Sequence, residues 1–69
     1  MKEVISKNDQ IIYKSISFGN KTFDAVETME KNNPIAMTVY DSDGNIVTNK
    51  EIINSIEEYI LRFHMAKIG

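Results

Sequence analysis

The last twenty residues, 50–69, carry more apolar surface than one packed face can hide. At about 100° per residue, Ile52, Ile53, Ile56, Tyr59, Ile60 and Phe63 form one broad helical stripe. Leu61, Met65 and Ile68 form a second stripe at i, i+4 and i+7, on a different side. The first stripe reads as a core contact, so the rest of the chain must supply a complementary apolar layer. The second stripe needs another cover, either from this chain or from another molecule.

The size of the chain sharpens that requirement. A domain of 69 residues hides only roughly 60% of the surface its unfolded chain exposes, so its stability is marginal. Domains this small often rely on disulfides, a structural metal or self-association. The absence of cysteine excludes disulfides and thiolate zinc sites, and one histidine excludes a multi-histidine site within one chain. A bound partner or a second copy remains. Hydrophobic content of 42% with 26% charged residues is globular rather than disordered. The expectation is one domain over 1–69.

The N-terminal residues contain no apolar run resembling a signal peptide, and no later run could span a bilayer. A cytoplasmic location follows by default. Charge is uneven along the chain. Residues 1–21 hold four lysines against two acids, for +2, and residues 22–69 hold eight acids against four cations, for −4. An acidic total argues against nucleic-acid binding, which usually needs a basic face.

Residues 4–6 and 10–18 read as strands joined by a turn at Asn8-Asp9. In the second, Ile12, Lys14, Ile16 and Phe18 fall on one face, interrupted by Lys14. Gly19-Asn20 ends that strand, and Thr22 then opens an expected helix over 22–32. Phe23, Val26 and Met29 would form its inward stripe, Asp24 would sit in its first turn, and Glu27–Lys31 would make an i, i+4 pair. Asn32-Asn33-Pro34 reads as its stop. Residues 35–40 form the next strand. Asp43-Gly44 then suggests a type I′ hairpin turn, with 45–47 returning as a short strand. Thr48 and Glu51 have the spacing of a capping box for the final helix.

The order expected is therefore ββαββα. The fold class is α+β: a small two-layer domain with a three- to four-stranded antiparallel sheet packed against two helices. A short echo at an offset of 35, between residues 6–12 and 41–47, leaves open a duplication of two ββα halves.

Motifs that could carry chemistry are weak. Asp41, Asp43 and Asn45 match the first three ligand positions of a calcium-binding loop, but Ile46 and Ile52 stand where that loop needs glycine and glutamate. His64 has no carboxylate or nucleophile at hydrogen-bonding spacing on its own helix; Glu57 lies two turns away. Glu58 and Arg62 read as a surface i, i+4 pair. The three glycines form no phosphate-cradling loop. No catalytic group, cofactor or metal is implied.

The leading expectation is a non-catalytic protein-binding module, a small adaptor or inhibitor or a homodimer, that uses the C-terminal helix as its contact surface. The candidate contact residues are Leu61, Arg62, His64, Met65 and Ile68. A short, acidic, cysteine-free chain rich in Ile, Asn and Lys also fits the general profile of phage or mobile-element proteins that block host enzymes. The alternative is a small nucleic-acid-binding regulator using Lys7, Lys14, Tyr13 and Phe18 of the first hairpin. A third reading, an enzyme subunit completing a site at an oligomer interface with His64, has the least behind it.

Overall fold

A computed structural model describes residues 2–68, with side chains through Ala66. Four strands are followed by one helix: β1 (Glu3–Lys7), β2 (Gln10–Phe18), β3 (Lys21–Glu30), β4 (Asn33–Asp41) and α1 (Lys50–Ile68). The strands form one antiparallel sheet in the order β1-β2-β3-β4, each paired with its neighbour in sequence. The α+β class and the antiparallel sheet are therefore present. The second helix and the ββαββα order are not, and the repeated ββα halves disappear with them.

The correction lies in residues 22–32, which form β3 and its turn instead of a helix. Phe23 and Ala25 are buried on the side that α1 covers, and Glu27 and Met29 follow on the same face, while Asp24, Val26 and Thr28 alternate outward. A helical spacing of three could be read from Phe23, Val26 and Met29 because short apolar runs satisfy both periods. Glu27 on the inner face conceals the two-residue alternation. Pairing decides the outcome: as a strand, this segment completes β2's ladder on one side and supports β4 on the other. Lys31 and Asn32 both take positive φ, 50° and 69°, which gives the two-residue type I′ connection between antiparallel strands. Pro34 is consequently an edge-strand residue rather than a helix stop, in a position where its missing N–H costs no ladder bond.

β2 also departs from simple alternation. Tyr13 pairs with Ala25 and Ile16 with Phe23, so Lys14 and Ser15 together oppose Asp24 in a β-bulge. Ser15 takes φ 57° and its N–H donates to Asp24 Oδ1 at 2.9 Å, while Lys14 Nζ lies 3.6 Å from Oδ2. The extra residue changes the phase of the strand, so Tyr13 and Ile16 both face inward and Lys14 does not. The expected face of Ile12, Lys14, Ile16 and Phe18 is thus split by the bulge.

The core consists of Tyr13, Ile16, Phe23, Ala25 and Val39 from the sheet with Ile56 and Ile60 from α1, flanked by Ile52, Ile53 and Phe63. The other side of the sheet carries Ile5, Ile12, Val26 and Thr38 in one row, half-buried among their neighbours.

Asn49, not Thr48, caps α1: its Oδ1 accepts the N–H groups of Glu51 at 2.9 Å and Ile52 at 3.3 Å. The 45–47 return is reduced to a single bridge between Ile46 and Tyr40. The turn before it has positive φ only at Gly44, 85°, and is not type I′. Asp41 Oδ1 accepts the N–H groups of Asp43 and Asn45, both at 2.9 Å, so this carboxylate closes the turn itself. Among the described residues, no helix is long and apolar enough to cross a membrane.

Candidate functional site

The antiparallel register brings the inner ends of β2, β3 and β4 under the C-terminal half of α1. There the helix and sheet border an open groove of about 720 Å³. Ile11, Glu27, Met29 and Met37 form its sheet side, Pro34, Ile35 and Ala36 its outer lip, and Glu57, Ile60, Leu61 and His64 its helix wall. Its lining is largely apolar. Ile35 and Leu61, which both line it, are 59% and 60% exposed.

At the inner end of the groove is a polar chain. The Tyr13 hydroxyl donates to Glu27 Oε1 at 2.9 Å and lies 2.7 Å from His64 Nε2. Tyr13 is fully buried, and its ring meets those of Phe63 and His64 edge to face, with centroids 6.4 and 5.9 Å away. Burial, first, and then the hydrogen bond to the Glu27 carboxylate and its negative charge hold the Tyr13 phenol well above the usual tyrosine range. It is a neutral hydrogen-bonding link across the core.

The electrostatics of the groove are one-sided. Glu27, Glu57 and Glu58 line it and no lysine or arginine does among the described residues, although Glu58 is neutralised by Arg62 from the neighbouring face. Arg62 is engaged with Glu58 one helical turn away and belongs to a separate hollow of about 200 Å³ beside Phe18 and Tyr59.

The candidate contact residues therefore divide. Leu61 and His64 meet in the groove. Met65 is 61% exposed on the next turn and does not line the groove, and Arg62 faces the neighbouring hollow. The backbone of α1 continues through Ile68, whose side chain lies outside the described residues. Sequence reasoning missed the opposite wall, contributed by Met29, Pro34, Ile35 and Met37, because it placed β3 in a helix. The signal that could have found it was Lys31-Asn32 as a hairpin turn between two alternating runs.

The first hairpin has a different character from the one expected of a nucleic-acid platform. Tyr13 is buried beneath α1 and cannot stack on a base, and Lys14 is paired with Asp24. Among the described residues no group of three or more His, Cys, Asp or Glu could hold a metal ion. No family model, no curated protein and no solved structure matches the chain.

Proposed function

We propose that this chain is a non-catalytic protein-binding module, a small adaptor or inhibitor, whose contact surface is the groove between α1 and β4. The observation that carries the reading is the open apolar groove flanked by Ile35 and Leu61, both more than half exposed. Contiguous exposed apolar surface of this kind typically marks an interaction site. Met65 on the next turn of α1 extends the same surface with a flexible, adaptable side chain.

His64 is tied into the wall of this surface. Its Nε2 is already engaged by Tyr13, whose own proton goes to Glu27. The three groups satisfy one another at the inner end of the groove. Affinity capture from a lysate of the native host tests the reading, comparing the unaltered chain with Leu61→Asp. A protein retained by the first and lost by the second is the expected result. Proteins retained equally by both would overturn the assignment of the groove as the contact surface.

A further inference from the structure

The groove is bordered by an unfinished sheet edge, and the two features together define the chemistry of an occupant. β4 is an outer strand. At one end its edge is already covered: Val47 N–H donates to Val39 C=O at 2.8 Å, and Asp41 N–H to Asn45 C=O at 2.9 Å. In an antiparallel ladder a residue's N–H and C=O point to one side, and alternate residues point the same way. Met37, two residues before Val39, therefore presents its N–H and C=O along the same outer edge, beyond the reach of the 45–47 return. Its side chain is turned into the groove. Pro34, with no N–H, marks the other end of the usable edge. The bulge between Thr28 and Met29 leaves Ile35 as the extra residue of β4 at the lip.

Resting on the proposed binding role of the groove, we infer that β4 accepts a fifth strand from a basic, extended protein segment. This segment continues the line of residues 45–47 along Ile35–Thr38, by main-chain hydrogen bonds to the edge. Strand alternation sends every second side chain of the segment into the groove. One of these is apolar and packs among Met29, Met37 and Leu61. The next, two residues along, is Lys or Arg and meets the carboxylate of Glu57 on the helix wall, beside the Glu58–Arg62 pair.

Charge selects this occupant over a second copy of the chain. The nine residues of β4 include Asp41 and no lysine or arginine, and a second copy's groove is equally acidic. The unpaired stretch of β4 is uncharged, so edge-to-edge pairing of two copies would leave the groove carboxylates without a counter-charge, whereas a basic strand neutralises them.

The test is selection of a displayed library of random ten-residue peptides against the full folded chain, followed by synthesis of the best binder. The expected peptides carry an apolar residue and Lys or Arg two positions apart. N-methylation of an amide that faces β4 should weaken binding by about tenfold, the loss of one main-chain hydrogen bond, while methylation of the alternate amides changes little. Glu57→Gln should weaken it by about two- to fivefold and reduce its salt dependence. Peptides with helical spacing, sensitive to Leu61→Asp but insensitive to N-methylation, would overturn strand addition and leave the groove as the contact surface. Binding unaffected by Leu61→Asp would overturn both. Enrichment of acidic or uncharged peptides, or dimerisation of the chain blocked by a β4 edge substitution, would overturn the basic occupant.

Discussion

Tyr13 on β2 and His64 on α1, 51 residues apart in the chain, are joined by a 2.7 Å hydrogen bond across the core. The hydroxyl has one proton, and it is given to Glu27 at 2.9 Å. The Tyr13 oxygen must then accept from His64, so Nε2 is the protonated nitrogen of the imidazole. One hydroxyl thus ties β2, β3 and α1 together at the inner end of the groove. It also fixes the ring of the residue that forms part of the groove wall.

Tyr13→Phe keeps the ring and removes this link. The Glu27 carboxylate and the His64 N–H both lose their partner in a half-buried position, at a cost of about 1–3 kcal/mol. A chain of this length has roughly 3–10 kcal/mol in total, so the loss will be plain in urea denaturation. Glu27→Gln, whose amide oxygen still accepts the hydroxyl proton, should cost less. Equal midpoints for Tyr13→Phe and the unaltered chain would contradict the link.

The same phenol sets an alkaline limit. Its folded pKa lies above the ordinary value of 10.0, so between the two values the folded state holds a proton that the unfolded state has released. The stabilisation is complete below pH about 10 and declines as pH rises toward the folded pKa. Stability measured between pH 8 and 12 should fall with a steeper slope in the unaltered chain than in Tyr13→Phe. Parallel curves would remove Tyr13 as the cause.

The bulge in β2 predicts a pair of opposite effects. Ser15 holds φ 57°, a left-handed conformation that glycine adopts without strain, so Ser15→Gly should raise stability by up to about 1 kcal/mol. Asp24→Ala frees the Ser15 N–H and Lys14 together and should lower it by about 1–2 kcal/mol. Thermal melts of the two variants should move in opposite directions. An Asp24→Ala chain as stable as the unaltered one would mean that the bulge is not held by Asp24, and a destabilised Ser15→Gly chain would mean that Ser15 is not strained there.

What could be read from the residues followed how local each signal was. The bounds of β2 and the Ile56/Ile60 face of the last helix are set by short-range period and turn chemistry. β3 was hidden by tertiary compensation: Glu27 is accommodated on an inner face by the open groove it lines and by Tyr13, 14 residues away, which donates to it. Lys14 looked like a flaw in a buried strand because the bulge that turns it outward is stabilised by Asp24 on the neighbouring strand. Half of the groove was visible for the same reason. Leu61 and His64 lie on the helix that periodicity identifies, whereas Ile35 and Met37 reach them only through the β3–β4 register.

The start of α1 gives a local test of one such correction. Asn49 satisfies two N–H groups of the first turn, and its C=O accepts the N–H of Ile53 at 3.0 Å. Asn49→Ala should cost about 1 kcal/mol, and Thr48→Ala only a few tenths. Circular dichroism during urea unfolding distinguishes them. A larger loss at Thr48 would restore the capping box expected from Thr48 and Glu51.

Ile60 and Leu61 are adjacent on α1 yet 4% and 60% exposed, because consecutive helical positions point about 100° apart. Ile60→Asp places a charge in the core and should abolish folding. Leu61→Asp leaves the core intact and should change stability by no more than about 0.5 kcal/mol. Side-by-side denaturation of the two variants checks this directly. A stable Leu61→Asp chain makes any loss of partner binding attributable to the groove itself. A Leu61→Asp chain as unstable as Ile60→Asp would mean that Leu61 belongs to the core and that the groove is closed in solution.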